Sequence, residues 1–189
     1  MNQRAHYLQV LIACLMTGFA VLTPVHAEQP RLEHSELSRE YQIKAAMLYK
    51  FVWFVRWKSG DFKDKKSPIS LCLSEPEPFG GYLDQLVEGR LFGKNKRKIS
   101  VRRFDKKNYL DHLQECHVLF IPKGSDVPVP QKKGLLVVTD GRPIEKSSAH
   151  INFITSGNYV RFEINRNNLK KSHIRLSSKL LKLARVVGD

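Results

Sequence analysis

The sequence predicts an α/β domain, a three-layer sandwich with a mainly parallel, flavodoxin/Rossmann-like sheet and a C-terminal antiparallel hairpin. Three observations predict this fold class. From residue 69 onward, short β-type runs alternate with segments of helical spacing, which is the order of parallel strands joined by crossovers. His117–Ile121 and Leu135–Asp140 are almost continuously apolar, like strands that are covered on both faces. Ile151–Ile154 and Tyr159–Ile164 flank a single turn, so we expect them to pair as the hairpin.

The first 27 residues have the features of a secretory signal peptide. Arg4 supplies a positive start, residues 8–22 are apolar, and small residues at 25–27 precede an abruptly polar segment. This is the order of a leader that is cleaved after Ala27. We therefore predict a periplasmic protein with a single domain over residues 28–189, a length that suits one core.

The leader segment has two alternative interpretations. A membrane anchor would need roughly 20 apolar residues, whereas Pro24 and His26 interrupt the end of this stretch. Residues 11–14 resemble a lipoprotein cleavage box, which would make a lipidated Cys14 the first residue of the mature chain. No later segment is apolar for long enough to cross a bilayer, so we predict no transmembrane segment in the mature chain.

The first helix is predicted to begin near Ser35 or Ser38, to carry apolar residues at helical spacing from Ile43 to Val55, and to end at Gly60 and the lysine-rich stretch after it. Almost every residue of its second half is apolar, so the helix is either buried on most sides or part of an interface.

Three aromatic residues, Trp53, Phe54 and Trp57, lie at the end of this helix. They are predicted either to pack in the core or to form a face for a partner or a second copy. The second interpretation follows because aromatic residues beside basic ones, here Arg56 and Lys58, are typical of interface anchors.

The middle of the chain is predicted to contain the strands Ile69–Ser74 and Ile99–Phe104, separated by a short helix at Tyr82–Val87. Asn108–Gln114 is predicted to be another short helix. After the hairpin, Asn165 is placed to cap a helix over 166–171. A last helix is expected to begin at Ser177 or Ser178, and its apolar stripe consists of Leu180, Leu181, Ala184 and Val187.

Two cysteines, Cys72 and Cys116, remain after removal of the leader, and an even number in an oxidising compartment favours a disulfide. Cys72 lies within the first predicted strand and Cys116 directly precedes the third. In a flavodoxin-like order these strands are neighbours, ~4.8 Å apart, and a disulfide joins Cα atoms separated by about 4.4–6.8 Å. A disulfide is therefore feasible, and two buried free thiols are the alternative.

The formal net charge of +14 limits the classes of partner. A basic protein suggests nucleic acid, but export excludes nucleic acid as the expected partner. Lipid phosphates, lipopolysaccharide or an acidic protein face are better candidates for this positive field. A solvated lysine-rich surface is the alternative, because the charge runs 63–66 and 94–98 lie in predicted loops.

The sequence contains no pattern that predicts catalysis. It has no metal-ligand spacing among histidines and cysteines, no nucleophile elbow and no phosphate-binding loop. We therefore predict no catalytic residue, no metal and no cofactor, and the protein is predicted not to be an enzyme. His173 and Arg175 lie in a polar connection before the last helix, where they are candidates to contact an anionic ligand or belong to a solvated loop.

Five motifs together resemble the YfiR family of periplasmic proteins, over essentially the whole mature chain. The motifs are Ala45–Phe51 with Phe54–Trp57, Ile69–Gly80 with its Pro78-Phe79-Gly80 turn, Cys116–Ile121, Gly157–Asn165, and Ile174–Val186. The resemblance implies a dimeric α/β repressor that binds the periplasmic sensor domain of a membrane diguanylate cyclase, YfiN, and thereby controls cyclic di-GMP and biofilm formation.

The resemblance also implies that Cys72 and Cys116 form the structural disulfide of the family. The second cysteine pair of some members is absent, because no cysteine follows Cys116. Lys50 stands where the family more commonly has asparagine. The expected function is therefore a signalling repressor that acts by protein–protein contact. The alternative is a periplasmic small-ligand-binding protein that reports to a sensor kinase or transporter, with a pocket near residues 74–81 and 122–124.

Overall fold

The computed structural model describes residues 38–188. The predicted leader, its cleavage site after Ala27 and Cys14 lie outside the described residues, so the export route and the domain bounds stay predictions. The first described element is helix α1, Arg39–Phe54. Ser38 caps α1 by accepting a hydrogen bond from the backbone N–H of Tyr41, because the first turn of a helix has no internal acceptors for its N–H groups.

Ten strands follow or flank this helix. They are β1 Val55–Arg56, β2 Ile69–Ser74, β3 Leu91–Phe92, β4 Arg97–Phe104, β5 Val118–Ile121, β6 Leu136–Asp140, β7 Ile151–Ser156, β8 Tyr159–Asn165, β9 Arg175–Leu176 and β10 Arg185–Val187. Eight of them form one sheet in the order β10-β8-β7-β6-β5-β2-β4-β3, and β1 pairs with β9 in a separate two-stranded ribbon. In the main sheet only β7–β8 and β3–β4 are antiparallel among the described pairings.

The remaining helices are short. They are α2 Tyr82–Val87, α3 Arg166–Ser172 and α4 Ser178–Leu181, with 3₁₀ segments at Ser59–Asp61, Tyr109–Glu115 and Ile144–Lys146. The α/β class, the mainly parallel sheet and the antiparallel hairpin β7–β8 are thus confirmed. The three-layer sandwich and the flavodoxin/Rossmann-like description stay predictions.

The core lies between α1 and the main sheet. Leu48, Phe51 and Val52 of α1 are fully or almost fully buried, and the Phe51 ring stacks on Phe153 of β7 at 5.6 Å between centroids. The central strands β2, β5 and β6 are buried along their whole length, as expected of parallel strands covered on both faces. This packing fixes the positions of both ends of α1, where the candidate sites lie.

Two helix predictions were wrong in extent. Helix α1 ends at Phe54, because Val55 and Arg56 pair as β1, so Trp57 lies outside the helix. The last helix is only one turn, α4, because Arg185–Val187 instead forms β10 and pairs in parallel with β8, with Val186 opposite Ile164. The β-branched Val186 and Val187 suit a strand better than a helix. The short helix predicted at 108–114 is confirmed as a 3₁₀ helix, Tyr109–Glu115, which ends where Cys116 leads into β5.

The predicted disulfide is confirmed. Cys72 and Cys116 are bonded, with their Cα atoms 5.7 Å apart. Both side chains are buried in a second, smaller apolar cluster that includes Leu119 and Val137. The geometry follows from the pairing of β2 with β5, in which Cys72 lies opposite Leu119.

Candidate functional site

The ribbon of β1 and β9 borders a basic groove, which is lined by both residues of β9 and by Lys58, two residues after β1. Arg56 and Arg175 are directly opposite each other in this antiparallel pair, and both are exposed. Residues opposite each other in a ribbon project from the same face, where like charges repel. The ribbon therefore places two arginines at directly opposite positions.

The groove beside this ribbon has a volume of about 430 Å³. Its floor and walls are both basic and apolar: Lys58, Arg166, Leu169, Lys170, His173, Ile174, Arg175, Leu176 and Leu181. Among these described lining residues none is acidic. A concave surface with one sign of charge concentrates ions of the opposite sign, so this groove suits a ligand with an anionic group and an apolar portion.

Helix α3 positions the predicted ligand contacts, His173 and Arg175. The Asn165 side chain caps its first turn by accepting the N–H of Asn168 at 3.1 Å, and the helix ends at Ser172. His173 then adopts a left-handed conformation, with φ of 62°, which is uncommon for a residue other than glycine. This turn sends the chain back into β9, so that both predicted residues line the groove. Their role as ligand contacts stays a prediction.

The three aromatic residues predicted as a partner or dimer face occupy different environments. The Trp53 side chain is exposed by 44%, and its ring packs edge-on against Phe92, 5.3 Å away. Phe54 and Trp57 are half-buried against the core, and the Trp57 indole N–H donates to the Gly134 carbonyl at 3.1 Å. Of the three, Trp53 offers the most surface to a partner, and the interface itself stays a prediction.

A buried ion pair, which the sequence analysis missed, holds α1 against the carboxyl end of β6. Lys44 is 0% exposed and Asp140 is 2% exposed, and the Lys44 Nζ lies 2.7 Å from Asp140 Oδ1. Glu40, one helical turn earlier, contacts the same ammonium at 2.5 Å and accepts from the Thr155 hydroxyl at 2.8 Å. The sequence itself indicates that Lys44 is unusual, because this lysine lies four residues before Leu48 and so on the apolar face of α1.

Tyr41 lies beside this pair. The Lys44 ammonium is 4.7 Å from the centroid of its ring, which is a cation–π distance. Burial, together with the nearby charge of Asp140, raises the pKa of Tyr41 to about 12. The tyrosine therefore stays protonated at neutral pH and provides no base at this site.

Two histidines bridge neighbouring strands at the amino edge of the parallel sheet. The His117 Nδ1 accepts from the backbone N–H of Ser70 at 3.1 Å, and the His150 Nδ1 accepts from the backbone N–H of Val137 at 2.8 Å. An imidazole that accepts through Nδ1 must be neutral. Burial lowers the pKa of each histidine to about 4, so both histidines hold the sheet together in their neutral form.

The pocket expected near residues 74–81 and 122–124 is only partly present. A cavity of about 420 Å³ lies at the carboxyl ends of β2 and β4, and its lining includes Glu75, Glu77 and Arg103 but not residues 122–124. Arg103 reaches Glu77 at 2.7 Å and Asp84 at 2.6 Å, so its charge is already neutralised. Within residues 38–188 no helix has the length and apolar character needed to span a membrane. The same residues contain no cluster of three or more histidine, cysteine or acidic side chains arranged to hold a metal.

Comparison with known proteins adds one relationship. Residues 41–185 match the family model described as YfiR/HmsC-like, which extends from the first turn of α1 to the start of β10 and includes the groove. No curated protein matches the chain.

Proposed function

The chain belongs to the YfiR/HmsC-like family, and from this premise we propose that it is a periplasmic regulator of cyclic di-GMP signalling. In this proposal it binds the periplasmic sensor domain of a membrane-bound diguanylate cyclase and represses the enzyme. The repressor itself performs no chemistry. The single observation that carries the proposal is the family match over residues 41–185, and the basic surface supports it, since it suits an acidic partner face.

Repression would follow from unequal affinity for two states of the cyclase. A bound protein shifts an equilibrium only by the difference in its affinity for the two states. To move a cyclase from almost fully active to almost fully inactive, the preference must reach about 10⁴-fold. The exposed indole of Trp53 is our proposed anchor for the partner or for the second copy of a homodimer, because tryptophan is enriched among residues that dominate interface energies.

Deletion of the gene tests the proposal. We expect cellular cyclic di-GMP to rise and biofilm to increase, and we expect expression of the wild-type protein to reverse both. Trp53→Asp should restore neither, whereas Tyr159→Asp, at another exposed aromatic residue, is the matched control and should restore both. Unchanged cyclic di-GMP in the deletion strain would refute the proposal.

A second candidate function is supported by the groove. Its basic side chains and apolar floor suit a small anionic ligand, so the protein would be a periplasmic ligand-binding protein that reports to a sensor kinase or transporter. Phosphate is the simplest probe: it should raise the unfolding temperature of the wild-type protein, as any ligand of the native state does. The same addition should have much less effect on Arg175→Gln. Phosphate stabilisation together with unchanged cyclic di-GMP in the deletion strain would favour this second function over the first.

A further inference from the structure

We propose that the basic edge of this protein docks onto an anionic phospholipid bilayer. The basic edge is defined by six lysines at the amino ends of β2 and β4: Lys63, Lys65 and Lys66 in the loop before β2, Lys94 and Lys96 in the loop before β4, and Lys98, the second residue of β4. All six are exposed. The proposal goes beyond the regulatory function, because it requires neither a cyclase nor a ligand in the groove. Trp53, which the proposed function assigns to a protein partner, contacts the bilayer in this proposal, so a bilayer and a protein partner compete for it.

The fold brings the two lysine loops together from distant parts of the sequence. β2 and β4 are parallel, with Ile69 opposite Ile99, so the segments that precede them reach the same edge of the sheet. The buried Arg97 fastens one loop to the other, since its guanidinium donates to the carbonyls of Asp64 at 2.9 Å and Ser67 at 2.7 Å. The same group lies 3.8 Å from the centroid of the Phe62 ring. The lysines are therefore presented by a fixed scaffold.

The acidic residue within this edge does little to neutralise it. The carboxylate of Asp64 accepts the backbone N–H groups of Lys66 and Ser67, each at 2.7 Å, and so is directed at its own loop. Of the exposed acidic residues between Asp64 and Lys94, Glu75 follows the opposite, carboxyl end of β2, and Glu88 follows the end of α2, six residues before Lys94. The basic edge thus retains a strong excess of positive charge.

An apolar anchor lies beside the lysines. The Trp53 ring packs on Phe92, and Phe92 is opposite Arg97 in the β3–β4 pair. Leu91, which is 47% exposed, is opposite Lys98 in the same pair. An exposed indole next to lysine ammonium groups is the combination that proteins use at the membrane–water interface.

The composition of this surface favours a lipid bilayer over a protein partner. Cores of protein–protein interfaces are depleted in lysine, whereas the six charges of the basic edge are all lysines. Lysine is a flexible point charge that does not require the fixed bidentate geometry of arginine, and mobile phospholipid phosphates do not offer such geometry. Each lysine close to an anionic leaflet strengthens partitioning about fivefold.

The test is co-sedimentation of the protein with vesicles. The protein carries the N terminus found in the cell, and the vesicles are phosphatidylcholine with or without phosphatidylglycerol. We expect binding only when phosphatidylglycerol is present, and we expect added salt to weaken it. The variant Lys65→Glu/Lys94→Glu/Lys98→Glu should bind on the order of 100-fold more weakly.

A matched variant separates the basic edge from net charge. Lys106→Glu/Lys107→Glu/Lys123→Glu makes the same charge change at exposed residues beyond the carboxyl ends of β4 and β5, and it should bind within about threefold of the wild type, since these charges lie away from the docked leaflet. Equal loss in both triple variants, or binding to soluble polyglutamate but not to vesicles, would overturn the proposal.

The apolar anchor has its own readout. The chain has two tryptophans, so Trp57→Phe leaves Trp53 as the lone reporter. Its emission should shift to shorter wavelength on vesicles and be quenched by brominated phosphatidylglycerol. Vesicle binding without quenching would show that Trp53 stays in water and would overturn the anchoring part of the proposal.

Discussion

Acid should weaken this protein well above the pH at which its carboxylates titrate. His117 and His150 are buried and each accepts a backbone N–H through Nδ1, with a pKa lowered to about 4 from an unfolded value near 6.5. The unfolded chain therefore binds protons that the folded chain does not between about pH 6.5 and pH 4. Linkage then requires the free energy of unfolding to fall as the pH falls through this window.

The expected size of this effect can be calculated from the two pKa values. On lowering the pH from about 7.5 to about 5.5, each histidine should cost about 1.4 kcal/mol of stability. Together they would remove a large part of the 5–15 kcal/mol that is typical of a folded domain. Ordinary carboxyl groups, with unfolded pKa values near 4, contribute little in this interval.

Urea unfolding at the two pH values, followed by circular dichroism, measures this loss. The variant His150→Asn keeps an acceptor close to the position of Nδ1 but does not titrate, so the pH-dependent loss should be about half that of the wild type. His117→Asn should behave in the same way. A wild-type stability that is constant between the two pH values would refute the reasoning, and so would a variant with the full wild-type loss.

Three further predictions concern stability. Lys44→Met should cost about 3–5 kcal/mol in urea unfolding because it leaves the Asp140 carboxylate buried without its cation, beside the neutral Tyr41 hydroxyl, and Lys44→Met/Asp140→Leu should recover most of this loss; equal destabilisation by the single and double variants would contradict it. Replacement of Cys72 and Cys116 by alanine should lower the free energy of unfolding by about 4 kcal/mol in the chain-entropy model, given their separation of 44 residues; an unchanged urea midpoint would contradict it. His173→Gly should raise stability by about 0.5–1 kcal/mol by relieving the left-handed conformation and should weaken phosphate binding; a loss of stability would show that the imidazole contributes more than the backbone strain costs.

Strands were predicted well where the order of apolar and polar residues, together with the flanking turns, is enough to identify them. Ile69–Ser74 was predicted with the observed bounds. The hairpin of β7 and β8 was predicted from two β-type runs that flank one turn, the second of which alternates strictly, and such alternation leaves one register with a buried face. The last helix was predicted to be too long, because the local pattern at the end of the chain does not distinguish a helix from a strand. Leu180, Leu181 and Ala184 fit a helical stripe, and only the pairing of Val186 with Ile164 decides in favour of a strand.

The buried ion pair shows a different limit. Lys44 carries a clear local signal, since it lies on the apolar face of α1, but its partner, Asp140, is the last residue of β6, 96 residues later. A lone lysine on an apolar stripe normally extends its ammonium to solvent, and nothing in the neighbouring sequence indicates otherwise. The site becomes recognisable only when α1 is placed across the carboxyl end of β6.

Some of the groove residues could be predicted from the sequence, and others could not. His173 and Arg175 could be proposed as ligand contacts because they are neighbours in one polar connection, whereas Lys58 joins them through the β1–β9 ribbon, whose strands have two residues each and therefore no periodicity to recognise. This ribbon places Arg56 opposite Arg175, an arrangement that opposes folding. Local rules of this kind are broken most often at functional sites, where another gain compensates. The pairing of two arginines therefore supports the proposal that an anionic ligand binds beside Arg175, which lines the groove.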